Sequence, residues 1–163
     1  MRILAVDLGR KRIGLAVSDE RAEIAFPAGI IESRGRKKDL AALRALIEEK
    51  EIGRAVIGLP LHMDGRRGEG AETAQAFAEA LATSARIPVD TLDERWTSIE
   101  AERILAAGEA RPDGRAAGRG RKRRAETRRE KGTVDEMAAS ILLRTYLDQR
   151  ANTATAGTGK EER

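Results

Sequence analysis

The feature that most constrains this chain is its opening run, ILAVD at residues 3–7, which carries apolar side chains at successive positions. Neighbouring residues in a strand point to opposite sides, so such a run must be covered on both faces. That predicts a central, doubly buried strand over residues 3–8 and layers of helix on either side of a sheet. Gly9, Arg10 and Lys11 form a tight turn, and residues 13–17 return as a second strand. Residues 26–31 suggest a third strand, with Pro27 limiting pairing near its start.

The rest of the chain alternates. Residues 34–38 read as a polar link. Leu40, Leu43, Leu46 and Ile47 follow helical spacing, and Gly53 is placed to end that helix. Residues 55–59 form a short apolar strand before Pro60, and a Gly-rich loop covers 62–70. Ala71, Ala74, Phe77, Ala78 and Leu81 mark a second helix, and residues 88–92 a short strand. Thr97 and Glu100 form a capping box that opens a helix to about residue 107. Val134, Met137, Ala138, Ile141 and Tyr146 belong to a last helix. This order implies a mixed sheet flanked by helices, in one α/β domain over residues 1–150. Residues 151–163 lack apolar content and read as a disordered tail.

Composition narrows the chemistry. There is no cysteine, and His62 is the single histidine. Disulfide and thiol chemistry are excluded, and zinc is disfavoured because it needs several Cys or His ligands. A metal would be held by oxygen, which suits Mg²⁺ or Mn²⁺. The net charge is +4, but residues 108–131 hold ten Lys or Arg against four Asp or Glu, a local +6. That segment reads as a flexible basic loop, with Arg121, Lys122, Arg123 and Arg124 its densest run. It suits a polyanion and equally suits a solvated loop. The four aromatics, Phe26, Phe77, Trp96 and Tyr146, are too scattered to form a base-stacking platform. No apolar run reaches membrane-spanning length, and the N-terminal run ends too early for a signal peptide, so the expected location is the cytoplasm, with no membrane partner.

Three acids stand where a site is expected. Asp7 shares a strand face with Ile3 and Ala5, where a carboxylate is costly unless paired or metal-bound; a turn-forming Asp before Gly is the plainer reading. Asp93 and Glu94 end a strand at its carboxyl side, the usual place for ligands in open α/β sheets, and one of the two faces the site. They would also complement the positive start of a following helix. Asp135, read as lying in the first turn of the last helix, has Ala138, Ala139 and Leu142 at i+3, i+4 and i+7, so it projects from an inward face. A converging acid cluster is what metal-assisted phosphodiester hydrolysis requires. Arg12 and Arg95 are candidate phosphate contacts because a guanidinium grips phosphate bidentately; Arg66 and Arg67 read as ordinary exposed arginines.

Four ordered segments, ILAVDLGRKRIGLAVSD, VIGLPLHMDGRRGEGAE, DERWTSIEAERIL and KGTVDEMAASILLRTYLD, resemble the YqgF family, relatives of Holliday junction resolvases assigned to pre-16S rRNA processing. The resemblance spans roughly residues 1–149. It implies a ribonuclease H-like fold, a two-metal nuclease site with Mg²⁺ or Mn²⁺, and maturation of the 5′ end of the small-subunit rRNA precursor. Carried over residue by residue, the catalytic and metal-holding acids are Asp7, Glu94 (with Asp93 as the alternative) and Asp135. RNA is favoured over DNA as substrate. A junction resolvase would instead be a homodimer, since two symmetric cuts need two sites. His62 stands where relatives often have Asn and carries no role, and the Arg-rich insert is longer than the resemblance implies. A phosphotransferase of the sugar-kinase type is disfavoured because the chain has room for one domain. A non-catalytic RNA-binding factor is the real alternative.

Overall fold

The computed structural model describes residues 1–62, 64–95 and 123–157. Five strands form one sheet: β1 (Arg2–Leu8), β2 (Arg12–Ser18), β3 (Ala25–Glu32), β4 (Ile52–Leu59) and β5 (Val89–Asp93). Three described helices flank it: α1 (Arg36–Glu49), α2 (Glu69–Ala85) and α3 (Arg123–Gly157). The strand order is β3-β2-β1-β4-β5. β1 pairs antiparallel with β2 and parallel with β4; β2 pairs antiparallel with β3, and β4 parallel with β5. The mixed, helix-flanked sheet is the one expected.

β1 is central because both its faces are apolar. Leu4 and Val6 pack with Ile13, Leu15, Leu43, Ile47, Phe77 and Leu81 beneath α1 and α2. Ile3 and Ala5 face the other way, with Ala16 and Val56, against Ala139, Leu142, Leu143 and Tyr146 of α3. Small residues on that second face let α3 lie close to the sheet. β3 is an edge strand, which is where Pro27 is tolerated; the register slips between Leu15 and Ala16, beside Pro27.

Several boundaries differ from the expectation, each for a local reason. α1 begins at Arg36, inside the polar link, because buried Asp39 reaches back to accept hydrogen bonds from the Ser33 hydroxyl (2.7 Å) and the Arg34 amide (2.8 Å). Its end falls at Lys50 and at Glu51, which itself adopts φ 53°; Gly53 does not end the helix but lies inside β4, where Met1 packs against it. α3 is longer than its apolar stripe. It covers residues 123–131, expected as loop, and 151–157, expected as disordered tail. The first stretch, RRAETRREK, has no Gly or Pro, and the second is rich in Ala. Extending a packed helix adds a hydrogen bond per residue fixed, without a new nucleus. The expected helix over 97–107 with its capping box, and Trp96, lie outside the described residues. Among those residues no helix is long and apolar enough to cross a membrane.

Candidate active site

Asp7 is the penultimate residue of β1, and by strand alternation it lies on the α3 face with Ile3 and Ala5. Glycines flank it on both sides. In β2 its direct partner is Gly14. In β4, Gly58 stands one residue beyond the registered pair Val6↔Ile57. Each glycine leaves room that a methyl group would close. A Cβ on Gly14 would lie 2.3 Å from the backbone carbonyl oxygen of Asp135, so α3 rests directly on β2 at this point. A Cβ on Gly58 would lie 2.7 Å from Glu94 Oε1 and 3.3 Å from its Cγ, so the Glu94 side chain folds back from the end of β5 across β4. Two missing side chains thus bring acids from α3 and from the end of β5 toward Asp7.

The electrostatics report the same convergence. Burial, and then the negative charge of Asp135, push the Asp7 carboxyl above its ordinary value. Burial, then Asp7, then Asp93, push Glu94 up in turn. Asp7 therefore sits in the middle of a row running Asp135, Asp7, Glu94. Like charges held together in a partly dry place disfavour ionisation.

Asp93 is turned elsewhere. It accepts hydrogen bonds from Arg95 Nε (2.9 and 3.1 Å), Arg95 Nη2 (2.6 Å) and the Arg95 backbone amide (2.9 Å). The guanidinium holds its carboxyl below the usual carboxylate range. Of the two adjacent acids, Glu94 is the one in the field of Asp7. The same geometry bears on Arg95 as a phosphate contact: Nε and Nη2 are committed to Asp93, while Nη1 lies against the turn at Gly65, whose φ is 83°. Asp93→Asn is expected to cost at most about 1 kcal/mol, the size of a partly exposed ion pair. It should leave cleavage within a few-fold of wild type, whereas Glu94→Gln should lower it at least about 100-fold. Paired rate measurements check this; the reverse ranking would move the role to Asp93.

Asp135 is the thirteenth residue of α3, not a first-turn residue as the sequence suggested. The positive end of a helix dipole fades within one turn, so it does not account for an acid here. Arg12, at the start of β2, forms an ion pair with it, Nη1 to Oδ2 at 3.5 Å. Further along α3, Tyr146 donates a hydrogen bond to Asp90 of β5, which also pairs with Arg54 of β4 at 2.7 Å; Arg150 donates to the Tyr146 hydroxyl at 3.2 Å. This network, not anticipated from the sequence, ties the distal half of α3 to the sheet and fixes the helix that carries Asp135.

The remaining candidates are dispersed. His62 closes a turn, its carbonyl accepting from the Gly65 amide and its amide donating to the Arg66 carbonyl; its ring lies over Gly68, apart from the acids. Arg66 pairs with Asp64. Arg123 and Arg124 open α3, while Arg121 and Lys122 lie outside the described residues. A cleft of about 850 Å³, lined by Leu8, Arg10, Asp39, Glu69, Thr73 and Phe77 among others, opens on the α1/α2 face of the sheet. None of the three acids lines it.

Among the described residues no three acids or histidines stand close enough to enclose a metal ion as they are placed. The donor chemistry nevertheless fits one. Three carboxylates, two of them destabilised by burial and mutual repulsion, form an all-oxygen set that a hard divalent cation would neutralise.

Comparison with known proteins gives a consistent picture. The RuvX family, described as Holliday junction resolvase, matches residues 1–149. A protein of Anaeromyxobacter sp. (strain Fw109-5) named "Putative pre-16S rRNA nuclease" is 43% identical over 150 residues, covering 92% of this chain and 98% of its own. A protein of the same name from Chloroflexus aurantiacus is 38% identical, covering 91% and 87%. The solved structure of Thermus thermophilus RuvC in complex with a Holliday junction substrate superposes with a TM-score of 0.56 at 14% identity, covering 97% of each chain. That likeness establishes the ribonuclease H-like resolvase fold.

Proposed function

This chain belongs to the RuvX family, and from that premise we propose that it is a metal-dependent nuclease that hydrolyses phosphodiester bonds, with Asp7, Glu94 and Asp135 as its catalytic acids. The observation that carries this is the electrostatic row Asp135–Asp7–Glu94, with Asp7 at the carboxyl end of β1, Glu94 just past the carboxyl end of β5, two strands away, and Asp135 on α3. Acids that repel each other at a strand-end site are poorly explained by structure alone and well explained by a cation.

The three acids would hold Mg²⁺ or Mn²⁺. Held by these carboxylates, such a cation would acidify an attacking water and would stabilise charge on the leaving oxygen. The chain supplies the rest. Gly14 and Gly58 set the approach of Asp135 and Glu94 to Asp7. Arg95 turns Asp93 away. Arg12 stands beside Asp135 with a guanidinium suited to a non-bridging phosphate oxygen, and the Arg-rich segment through Arg121, Lys122, Arg123 and Arg124 would attract the polyanion from a distance.

The names of the curated relatives support a 16S rRNA precursor as the substrate; the resemblance of the sequence motifs puts the cut at its 5′ end, and the protein is expected to act in the cytoplasm. The family description and the RuvC resemblance favour a second reading, a Holliday junction resolvase. The two differ in symmetry as well as substrate, because paired cuts require two copies. The test offers an RNA with a 5′ extension and a four-way DNA junction to the purified protein in Mn²⁺, alongside a solution mass. Cleavage of the RNA and no symmetric cutting of the junction supports the first reading. Symmetric junction cutting by a dimer establishes the second.

A further inference from the structure

Arg12 opens β2 on the same face as Gly14, one strand away from Asp7. Because Gly14 lets the α3 backbone down onto β2, the Asp135 carboxylate comes within 3.5 Å of the Arg12 guanidinium. Both side chains are partly shielded, at 22% and 36% exposure. This pair differs in kind from the other arginine beside the site. Arg95 holds Asp93 with three side-chain contacts of 2.6–3.1 Å. Among the described residues the Arg12 guanidinium makes one contact, at the outer limit of a hydrogen bond. One pair is a fixed brace; the other is a loose, exchangeable counter-ion set at the end of a row of repelling acids.

We infer that Arg12 stands in for the divalent cation: paired with Asp135, it partly neutralises the acid row, and metal and guanidinium compete for that carboxylate. The inference rests on the metal-nuclease reading above. A divalent ion attracts a carboxylate about twice as strongly as a single charge at equal distance, and it gains further from Asp7 and Glu94. Metal entry therefore releases Arg12. The freed guanidinium then has a phosphate oxygen as its natural partner. Metal and polyanion binding become coupled through one side chain, and such coupling is reciprocal. A phosphate contact standing clear of the acids would leave metal affinity in the absence of nucleic acid unchanged.

The test measures Mn²⁺ affinity of the full chain without nucleic acid, from the electron paramagnetic resonance signal of free Mn²⁺. Wild type, Arg12→Gln, Arg12→Met and Arg12→Lys are compared. Removing the competing charge should tighten Mn²⁺ binding about fivefold in the Gln and Met variants, the fold-change equivalent of about 1 kcal/mol for a partly exposed pair. Arg12→Lys keeps the charge and should stay near wild type. Having two neutral variants guards against one failing to fold. Unchanged or weaker Mn²⁺ binding in the folded neutral variant overturns the inference while leaving the metal site intact. Absence of Mn²⁺ binding in wild type overturns the metal reading itself.

Discussion

Asp7→Asn is expected to lower cleavage by at least about 100-fold and to leave the metal-free protein as stable as wild type or more so. The loss of activity follows from removing the acid at the middle of the row. The stability follows from the sign of the pKa shift. The Asp7 carboxyl is raised by burial and by Asp135, so the native state binds its proton more tightly than the unfolded chain does. Stability then falls as pH rises from the unfolded value, about 4, through the higher folded value. At neutral pH the ionised Asp7 is a net burden on the metal-free fold. Asn removes the charge and keeps the shape, and among the described residues no ion pair to Asp7 is lost with it: Arg12 pairs with Asp135 instead. The melting temperature in EDTA at pH 7 should equal or exceed that of wild type, by up to about 4 °C. The gain should shrink below about pH 4, where both forms are neutral. Mg²⁺ should raise the wild-type value more than the mutant's, since a ligand stabilises the state it binds. A large loss of metal-free stability would show Asp7 to be a structural residue.

Gly14→Ala is expected to reduce both stability and activity, through backbone rather than charge. The new Cβ would fall 2.3 Å from the Asp135 carbonyl oxygen and 2.9 Å from its carbonyl carbon. Both are main-chain atoms of a long packed helix, so α3 must move. Overpacking of this kind costs about 1–3 kcal/mol, a drop of about 2–4 °C per kcal/mol for a chain of this size. Lifting α3 also withdraws Asp135 from Asp7, and a 1 Å misplacement in a catalytic site can cost about 100-fold in rate. The contrast with Gly58→Ala is informative. There the clash is with the end of the Glu94 side chain, which can rotate away. That variant should melt near wild type and still lose cleavage. Melting curves and rates for both variants separate the two mechanisms.

These two glycines mark where sequence reading stopped short. The unbroken apolar run that opens residues 3–8 was enough to place β1 at the centre, because a strand apolar on both faces must be covered on both. The inward face of Asp135 was legible from Ala138, Ala139 and Leu142. Its position in the helix was not, because residues 123–131 are charged and carry no apolar periodicity; their helicity is propagated from the packed part of α3. Gly14 and Gly58 appear in the sequence only as strand glycines. Their role depends on which element crosses above them, and that is a tertiary fact. Isolated glycines in strand patterns do signal close approach in general, and this was the available clue. Spacing alone left Asp93 and Glu94 open and the resemblance put Glu94 first; that Asp93 is taken up by the Arg95 guanidinium depends on a side-chain contact no local pattern shows. The tie between Tyr146, Asp90 and Arg54 joins residues 36 and 56 positions apart, beyond any local pattern.

Metal-dependent phosphodiester cleavage by these acids is tested with the purified full chain under controlled metal. Labelled RNA and DNA are incubated with protein in Mg²⁺, in Mn²⁺ and in EDTA, beside an identically purified Glu94→Gln variant. Phosphodiester cleavage is expected with metal, none in EDTA, and a loss of at least about 100-fold in the variant. Cleavage that persists in EDTA or in Glu94→Gln, or tight binding with no cleavage of any substrate in either metal, would contradict it.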